Sequence, residues 1–211
     1  MQRRLRKRRT AVLVGAALGL AAATIRGRGR SLDDRVFAWA NSEVHNPALD
    51  RFFRAITELG SLYASGAAAA ALVVRGRRRE GLDALGAALT MWTLGNWLKE
   101  VFRRARPYET GNPFRLMIGK PRGASWPSSH PAVLLAFVTV AGRNLELPLG
   151  ERRALTGIAG LVAASRVYLG VHYPADVVGG LLLGRAVADL WSAGVSPRTT
   201  GAEPAPPTPL G

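Results

Sequence analysis

The chain of 211 residues contains no cysteine and only three histidines. The absence of cysteine excludes a disulfide framework, a thiolate nucleophile and a cysteine-based metal site, although it leaves the redox compartment open. His45, His130 and His172 are too few and too widely separated for a convincing zinc site. Any chemistry at a histidine is therefore metal-free, or uses a metal held by residues other than cysteine and histidine.

Acidic residues are also scarce, with 14 Asp and Glu against 29 Lys and Arg, so the formal net charge is +15. Such an excess predicts an anionic partner, which could be nucleic acid, anionic lipid or a phosphorylated substrate. The basic residues stand at the ends of apolar blocks, and no nucleic-acid-binding motif is present. A membrane explains both the charge and the apolar blocks, so nucleic acid is not expected as a partner.

The first apolar run is short. Residues Met1 to Arg9 are mostly basic, and the run Ala11 to Ile25 would form a helix of about 22 Å, against a hydrocarbon core of ~30 Å. Two interpretations stay open, because Ala21 to Ala23 could serve as a signal-peptide cleavage site, while arginines at both ends could snorkel from an uncleaved helix. We favour the uncleaved first transmembrane helix.

Five further apolar segments follow, and with the first they predict an all-α bundle of six transmembrane helices. The segment 26–193 is expected to be the membrane domain, and the Pro-rich tail 194–211 is expected to be disordered. The five segments are a small-residue run ending at Val74, Leu82 to Leu98, Pro127 to about Ala141, Ala154 to Ser165, and Ala175 to about Ala193.

Residues 26–55 are polar and mixed in character. Five positions in this segment have the spacing of one helical face, which predicts a helix lying on the membrane surface. A folded loop outside the membrane is the alternative. The five positions are Leu32, Val36, Phe37, Trp39 and Ala40.

Charged residues lie between the last two apolar segments, where lipid disfavours charge. Pro174 predicts the start of a new helix, which places Asp176 in its first turn and His172 just before it. Asp176 could accept a hydrogen bond from one ring nitrogen of His172 and so make the other nitrogen a better nucleophile or base. Arg166 adds a planar donor fork that suits phosphate. The stretch alone fits a capped helix with an interfacial histidine equally well.

Two more clusters strengthen the catalytic interpretation. Lys99 and Arg106 form a K-x6-R-P pattern with the following proline, and Asn96 lies on the same helical face as Lys99. His130 belongs to a P-S-S-H sequence at a predicted helix start, where free backbone N–H groups and the helix dipole favour an anion.

In chain order, K-x6-R-P, P-S-S-H and S-R-x5-H-x3-D resemble the signature of the type 2 phosphatidic acid phosphatase (PAP2) superfamily. The resemblance covers about residues 95 to 193 and points to the membrane-integral lipid phosphatase branch. One position departs from the pattern, because Ser129 stands where the family usually has glycine.

The resemblance implies that His172 attacks phosphorus to give a phosphohistidine, that Asp176 orients it, and that His130 protonates the leaving oxygen and later activates water. It implies no metal or other cofactor, since cations neutralise the phosphate. The phosphate-binding residues that it implies are Lys99, Arg106, Ser128, Ser129 and Arg166.

The predicted function is hydrolysis of a lipid phosphate or pyrophosphate: phosphatidic acid, phosphatidylglycerol phosphate, a polyprenyl (pyro)phosphate or a polyprenyl-phosphosugar. Ala/Arg/Gly-rich composition hints at a GC-rich bacterium, where polyprenyl carriers serve cell-wall synthesis. The alternatives are a vanadate-dependent haloperoxidase-like protein and a non-catalytic membrane transporter or assembly factor. The oligomeric state stays open.

Basic loops give an expected orientation in the plasma membrane. The positive-inside rule places the N-terminus and the loops 75–79 and 143–153 on the cytoplasmic side. All three motif clusters then face the extracytoplasmic side, where the substrate headgroup would be met.

Overall fold

The computed structural model describes residues 2–25, 27, 29–44, 46–110 and 114–194. Every regular element in these ranges is helical, which confirms the predicted all-α class. His45 and residues 195–211 of the predicted disordered tail lie outside the described residues.

Eight α-helices and three short helical turns make up the described part of the chain. The turns are a π-helical turn at Trp39–Glu43 and 3₁₀ turns at Glu58–Gly60 and Pro107–Glu109. The helices are α1 (Gln2–Ile25), α2 (Arg30–Ala38), α3 (Pro47–Thr57), α4 (Leu62–Val74), α5 (Arg78–Phe102), α6 (Ser129–Asn144), α7 (Leu149–Tyr168) and α8 (Pro174–Gly194).

Contacts between helix ends define two ends of the bundle. At one, called the histidine end, Lys99 near the end of α5 donates to Ser129 at the start of α6. At the other, called the arginine end, Arg9 of α1 pairs with Asp189 of α8 at 3.3 Å. Helix α1 and helices α4 to α8 run in alternating directions between these ends, and α2 and α3 connect α1 to α4 at the histidine end.

Close helix approach positions the start of α6 against α8. A Cβ added at Gly180 would collide with the backbone carbonyl of Ser128, and one at Gly184 with that of Ala132. The absence of side chains at these two glycines therefore allows the backbones to pack directly, as small residues do in helix bundles. The buried faces of α6 and α8 supply much of the largest hydrophobic cluster, including Val133 and Leu183.

Only part of the six-span prediction is confirmed. Among the described residues, the segment Leu5–Ile25 is long and apolar enough to cross a membrane, and Pro47–Gly60 with Leu62–Val74 qualifies as a second span if that pair, bent by 63°, is counted as one. The other long helices carry charges within or near their apolar stretches, such as Arg152 in α7 and Arg185 in α8.

Helix α2 differs from the single apolar face that its sequence predicts. Phe37 is completely buried, and its ring centroid lies 5.3 Å from that of Tyr173. Leu32, Val36 and Trp39 are exposed instead. The prediction of one shared face is wrong for Phe37, because this side chain packs inside the bundle while Leu32, Val36 and Trp39 lie at its surface.

Helix α6 begins two residues later than its proline predicts. Its first residue is Ser129, and Ser128 is the N-cap residue. Pro174, in contrast, is the first residue of α8, as expected for proline at a helix start.

Candidate active site

A cavity of about 410 Å³ opens at the histidine end, between the start of α4, the end of α5, the start of α6 and the loop before α8. It brings together residues from all three sequence motifs, which are separated along the chain. The residues singled out in the sequence that line it are Asn96, Lys99, Arg106, Ser129, His130, Arg166 and His172. Ser128 and Asp176 do not line it.

Three cations in this cavity are buried without an acidic partner. Lys99 is 9% exposed, Arg106 1% and Arg166 3%. Among the described residues, no carboxylate forms a salt bridge with any of the three. Since buried charge is costly unless it is compensated, the cavity is electrostatically suited to an anion.

The neutral partners of Lys99 and Arg166 leave donor capacity free on these two cations. Lys99 Nζ donates to Ser129 Oγ at 2.9 Å, and Arg166 Nη1 donates to Thr57 Oγ1 at 2.9 Å. The Nε–H of Arg166 is buried and has no hydrogen-bond partner among the described residues. Donors of this kind can bind the oxygens of a phosphate.

Arg106 also holds the long loop after α5 in shape. Its guanidinium donates to the carbonyls of Gly123 at 2.8 Å, Arg122 at 3.2 Å and Ala124 at 3.3 Å. The same group donates to the carbonyl of Val171 at 3.0 Å. Arg106 thus joins the loop to the segment that carries His172.

The imidazole of His172 is 2% exposed, and its Nε2 lies 3.3 Å from Arg106 Nη1. Because arginine can only donate, this contact assigns the lone pair to Nε2 and the proton to Nδ1. Burial, followed by the positive charges of Arg106, Arg166 and Lys99, lowers the pKa of His172 well below its ordinary value. His172 is therefore neutral, with its lone pair on Nε2, and attack on phosphorus requires the hydrogen bond from Arg106 to give way.

Asp176 lies close to His172 but makes its hydrogen bonds elsewhere. Its Oδ2 is 3.6 Å from His172 Nδ1, which is too long for the hydrogen bond predicted from the sequence. The carboxylate instead accepts from Ser125 Oγ at 2.5 Å, the Tyr173 amide at 2.8 Å and Arg104 Nη1 at 2.7 Å. Ser125 Oγ is also 3.4 Å from His172 Nδ1, so it bridges the two groups.

Sequence reasoning missed Arg104 and Asp33. Arg104 Nη2 donates to Asp33 Oδ2 at 2.5 Å, and Asp33 Oδ1 accepts from the Ala175 amide at 2.8 Å. Both charged groups are buried. A signal was present in α2, because Asp33 lies one turn before the buried Phe37 and so shares its inward face.

The two serines before His130 occupy different environments. Ser129 lines the cavity and accepts the bond from Lys99. Ser128 is fully buried, and its hydroxyl has no hydrogen-bond partner among the described residues. Its amide donates to the carbonyl of Asp176 at 3.0 Å, which ties the start of α6 to α8. The predicted phosphate contact of Ser128 stays a prediction.

Further lining residues give the cavity a polar side and an apolar side. Arg122 and Glu58 add one positive and one negative group, and neither was singled out in the sequence. Leu62, Trp92 and Val133 supply apolar surface. The cavity thus combines an anion site with a wall that suits a hydrocarbon chain.

Residues 80–199, more than half of the chain, match the PAP2 superfamily. The chain belongs to the PAP2 superfamily. The family assignment made from the three motifs is thereby confirmed.

PAP2 proteins with polyprenyl-lipid names are among the relatives. The chain is 34% identical over 121 residues to an undecaprenyl-diphosphatase of Sulfolobus acidocaldarius, covering 56% of this chain and 57% of that protein. It is 33% identical over 117 residues to a decaprenylphosphoryl-5-phosphoribose phosphatase of Mycobacterium tuberculosis, covering 56% of this chain and 62% of that protein. The match therefore spans less than two thirds of either relative.

A solved PAP2 structure has a similar fold over most of its length. It is a transmembrane phosphatidylglycerolphosphate phosphatase from Bacillus subtilis, with a TM-score of 0.71 and 28% sequence identity. The similarity covers 87% of this chain and 94% of that one. The helical bundle described above is thus a PAP2 membrane-phosphatase fold.

Proposed function

We propose that this PAP2 protein is a membrane-integral phosphatase that hydrolyses a lipid phosphate or diphosphate through a phosphohistidine at His172. The observation that carries the proposal is a set of three buried cations, Lys99, Arg106 and Arg166, that surround a neutral imidazole and form no salt bridge with any described carboxylate. Phosphoryl transfer requires such positive groups to neutralise the phosphate oxygens and a nucleophile in line with the leaving oxygen.

The reaction has two steps. In the first, His172 Nε2 forms a bond to phosphorus while the bond from phosphorus to the leaving oxygen breaks, and His130 gives a proton to that oxygen. In the second, water attacks the phosphohistidine, His130 takes a proton from this water, and the P–N bond breaks to release phosphate. The Nδ1–H of His172 faces Ser125 and Asp176 throughout, which fixes the tautomer that the attack needs.

We propose a polyprenyl phosphate or diphosphate as the preferred substrate class. The apolar side of the cavity can contact the start of a hydrocarbon chain, and two relatives are named for polyprenyl substrates. The Bacillus subtilis neighbour, named for phosphatidylglycerolphosphate, makes a glycerophospholipid the competing class.

A substrate panel tests this function. Detergent-purified protein is assayed for phosphate release from undecaprenyl diphosphate, undecaprenyl phosphate, phosphatidic acid and phosphatidylglycerol phosphate, with His172→Ala as the control. We expect release that survives EDTA, is inhibited by vanadate and is absent in the control. Activity lost in EDTA and restored by Mg²⁺ would contradict the cation-only mechanism, and bromide oxidation with vanadate would indicate a haloperoxidase.

We further propose six membrane-spanning helices, α1 and α4 to α8, with the cavity on the extracytoplasmic side. Gly119 lies in the loop after α5 at the histidine end and Gly150 in the first turn of α7 at the arginine end, and a Cβ added at either meets no heavy atom within 4 Å. Each is replaced by cysteine in this cysteine-free chain, and whole cells are treated with a membrane-impermeant thiol reagent. Labelling is expected at Gly119→Cys only, and labelling at Gly150→Cys only would reverse the orientation.

A further inference from the structure

A second pocket, of about 180 Å³, lies at the arginine end between α6, α7 and α8. We call it the arginine pocket. Its lining residues on α6, from Val138 to Arg143, lie about 12 to 20 Å from His130 along the helix, given the 1.5 Å rise per residue. No acidic residue is among the described residues that line it. The lining residues that carry charge are Arg143, Arg152, Arg153 and Arg185.

One nearby carboxylate offsets only part of this charge. Asp189, 1% exposed, contacts Arg143, lies 3.5 Å from Arg185 Nε and 3.3 Å from Arg9 Nε. Three arginines therefore share a single acidic group. Arg152 and Arg153, in the first turns of α7, are exposed and form no salt bridge with any described residue. The pocket is left with a net positive charge.

A buried hydroxyl in the same pocket has no partner. Thr139 is 9% exposed and lines the pocket, and its Oγ1 makes no hydrogen bond to any described residue. Threonine inside a helix commonly donates to the carbonyl four residues earlier, so an unpartnered hydroxyl is a donor left for another group.

We propose that the arginine pocket binds the phosphate group of an anionic phospholipid headgroup. Guanidinium groups and a hydroxyl donor supply the hydrogen bonds that phosphate oxygens accept. Val138 and the exposed Leu149 line the same pocket and give apolar surface for the glycerol and the start of an acyl chain. Basic pockets between membrane helices are known to take such headgroups.

The test uses the full chain in detergent and follows the melting temperature while lipid is titrated. The lipids are phosphatidylglycerol and, as the zwitterionic control, phosphatidylcholine, and inorganic phosphate is titrated separately. The test variant is Arg152→Gln with Arg153→Gln, whose side chains form no salt bridges with described residues. The matched control is Arg78→Gln with Arg79→Gln, which removes the same charge from the exposed start of α5.

We expect phosphatidylglycerol, and not phosphatidylcholine, to raise the melting temperature of the wild-type chain in a saturable way. The half-saturating concentration should rise at least tenfold in the Arg152/Arg153 variant and stay within twofold in the Arg78/Arg79 control. Thr139→Val should weaken the same response without changing the melting temperature in the absence of lipid by more than a few degrees.

Four outcomes would overturn the proposal. Equal weakening of the lipid-induced rise in melting temperature in both double variants would mean general attraction to surface charge. An equal rise with phosphatidylcholine would exclude headgroup recognition. No rise with phosphatidylglycerol would exclude binding. If inorganic phosphate alone reproduces the response and competes with the lipid, the pocket takes the phosphate group from a free ion and the lipid assignment is wrong. Unchanged p-nitrophenyl phosphate hydrolysis in the Arg152/Arg153 variant would separate this pocket from the candidate active site.

Discussion

Arg104 donates from one guanidinium nitrogen to Asp176 at 2.7 Å and from the other to Asp33 at 2.5 Å. All three side chains are buried, and the arginine also lies 4.4 Å from the centre of the Tyr173 ring. The carboxylate beside His172 is therefore held by a cation that does not line the cavity. Through these two hydrogen bonds, Arg104 connects α2 to the start of α8.

The first prediction concerns Arg104→Met, which leaves two buried carboxylates without their shared cation. Removing one partner of a buried ion pair costs about 3–5 kcal/mol, so the melting temperature in detergent should fall clearly. We expect kcat to fall while KM changes little, because Arg104 acts on Asp176 and not on the substrate. Arg103→Met, which removes an exposed charge next to it, is the control. A large rise in KM at constant kcat would show that Arg104 binds substrate instead.

The second prediction separates the two histidines by role. His172→Ala should form no phosphoenzyme with any substrate, because the attacking atom is missing. His130→Ala should lose about 10²- to 10⁴-fold in kcat/KM on an alkyl phosphate, the usual contribution of a general acid, and less on p-nitrophenyl phosphate, whose leaving group is stable as an anion. The ratio of kcat/KM values and trapping of acid-labile phosphoenzyme measure this. Equal loss on both substrates with phosphoenzyme still formed by His172→Ala would exchange the roles.

The third prediction concerns Ser129, which stands at the usual family glycine and accepts a hydrogen bond from Lys99. Ser129→Gly removes this neutral acceptor but leaves the ammonium free to contact phosphate. We expect kcat/KM to stay within about tenfold, equivalent to ~1.4 kcal/mol of barrier. Lys99→Met is the comparison, and it should be far more impaired because a phosphate-neutralising charge is lost. A thousandfold loss in Ser129→Gly would assign the hydroxyl a catalytic role.

The fourth prediction follows from the pKa of His172, which burial and three neighbouring cations lower below the ordinary value of 6.5. His172 should stay neutral down to pH values below 6.5, and its NMR resonance in ¹³C-histidine-labelled protein should show no titration between pH 6.5 and 8. The unfolded chain takes up a proton at a higher pH than the folded one, so this residue stabilises the fold above pH 6.5 and loses that contribution as the pH falls. Assignment uses His172→Gln. A midpoint at or above 6.5 would contradict a neutral nucleophile.

Local sequence was sufficient wherever a few residues on one helix or turn decide the geometry. Proline chemistry placed the start of α8 at Pro174, and helical spacing put Asn96 and Lys99 on the face that lines the cavity. The order and spacing of three motifs resemble the PAP2 signature, and this resemblance predicted the superfamily. The all-helical class followed from the apolar segments in the same way.

Only the tertiary structure decided which distant residues meet. Asp33 and Arg104 reach Asp176 from 143 and 72 positions earlier in the chain, counted from their residue numbers, and no local pattern encodes such a pairing. Arg166 likewise meets Thr57 on another helix. Asp189 of α8 meets Arg9 of α1 and Arg143 of α6, and neither contact is encoded locally. Helix periodicity states which face of a helix is buried but not which helix it meets. Close packing of α6 on α8 and docking of α2 fix those neighbours, and with them the buried charges that surround His172.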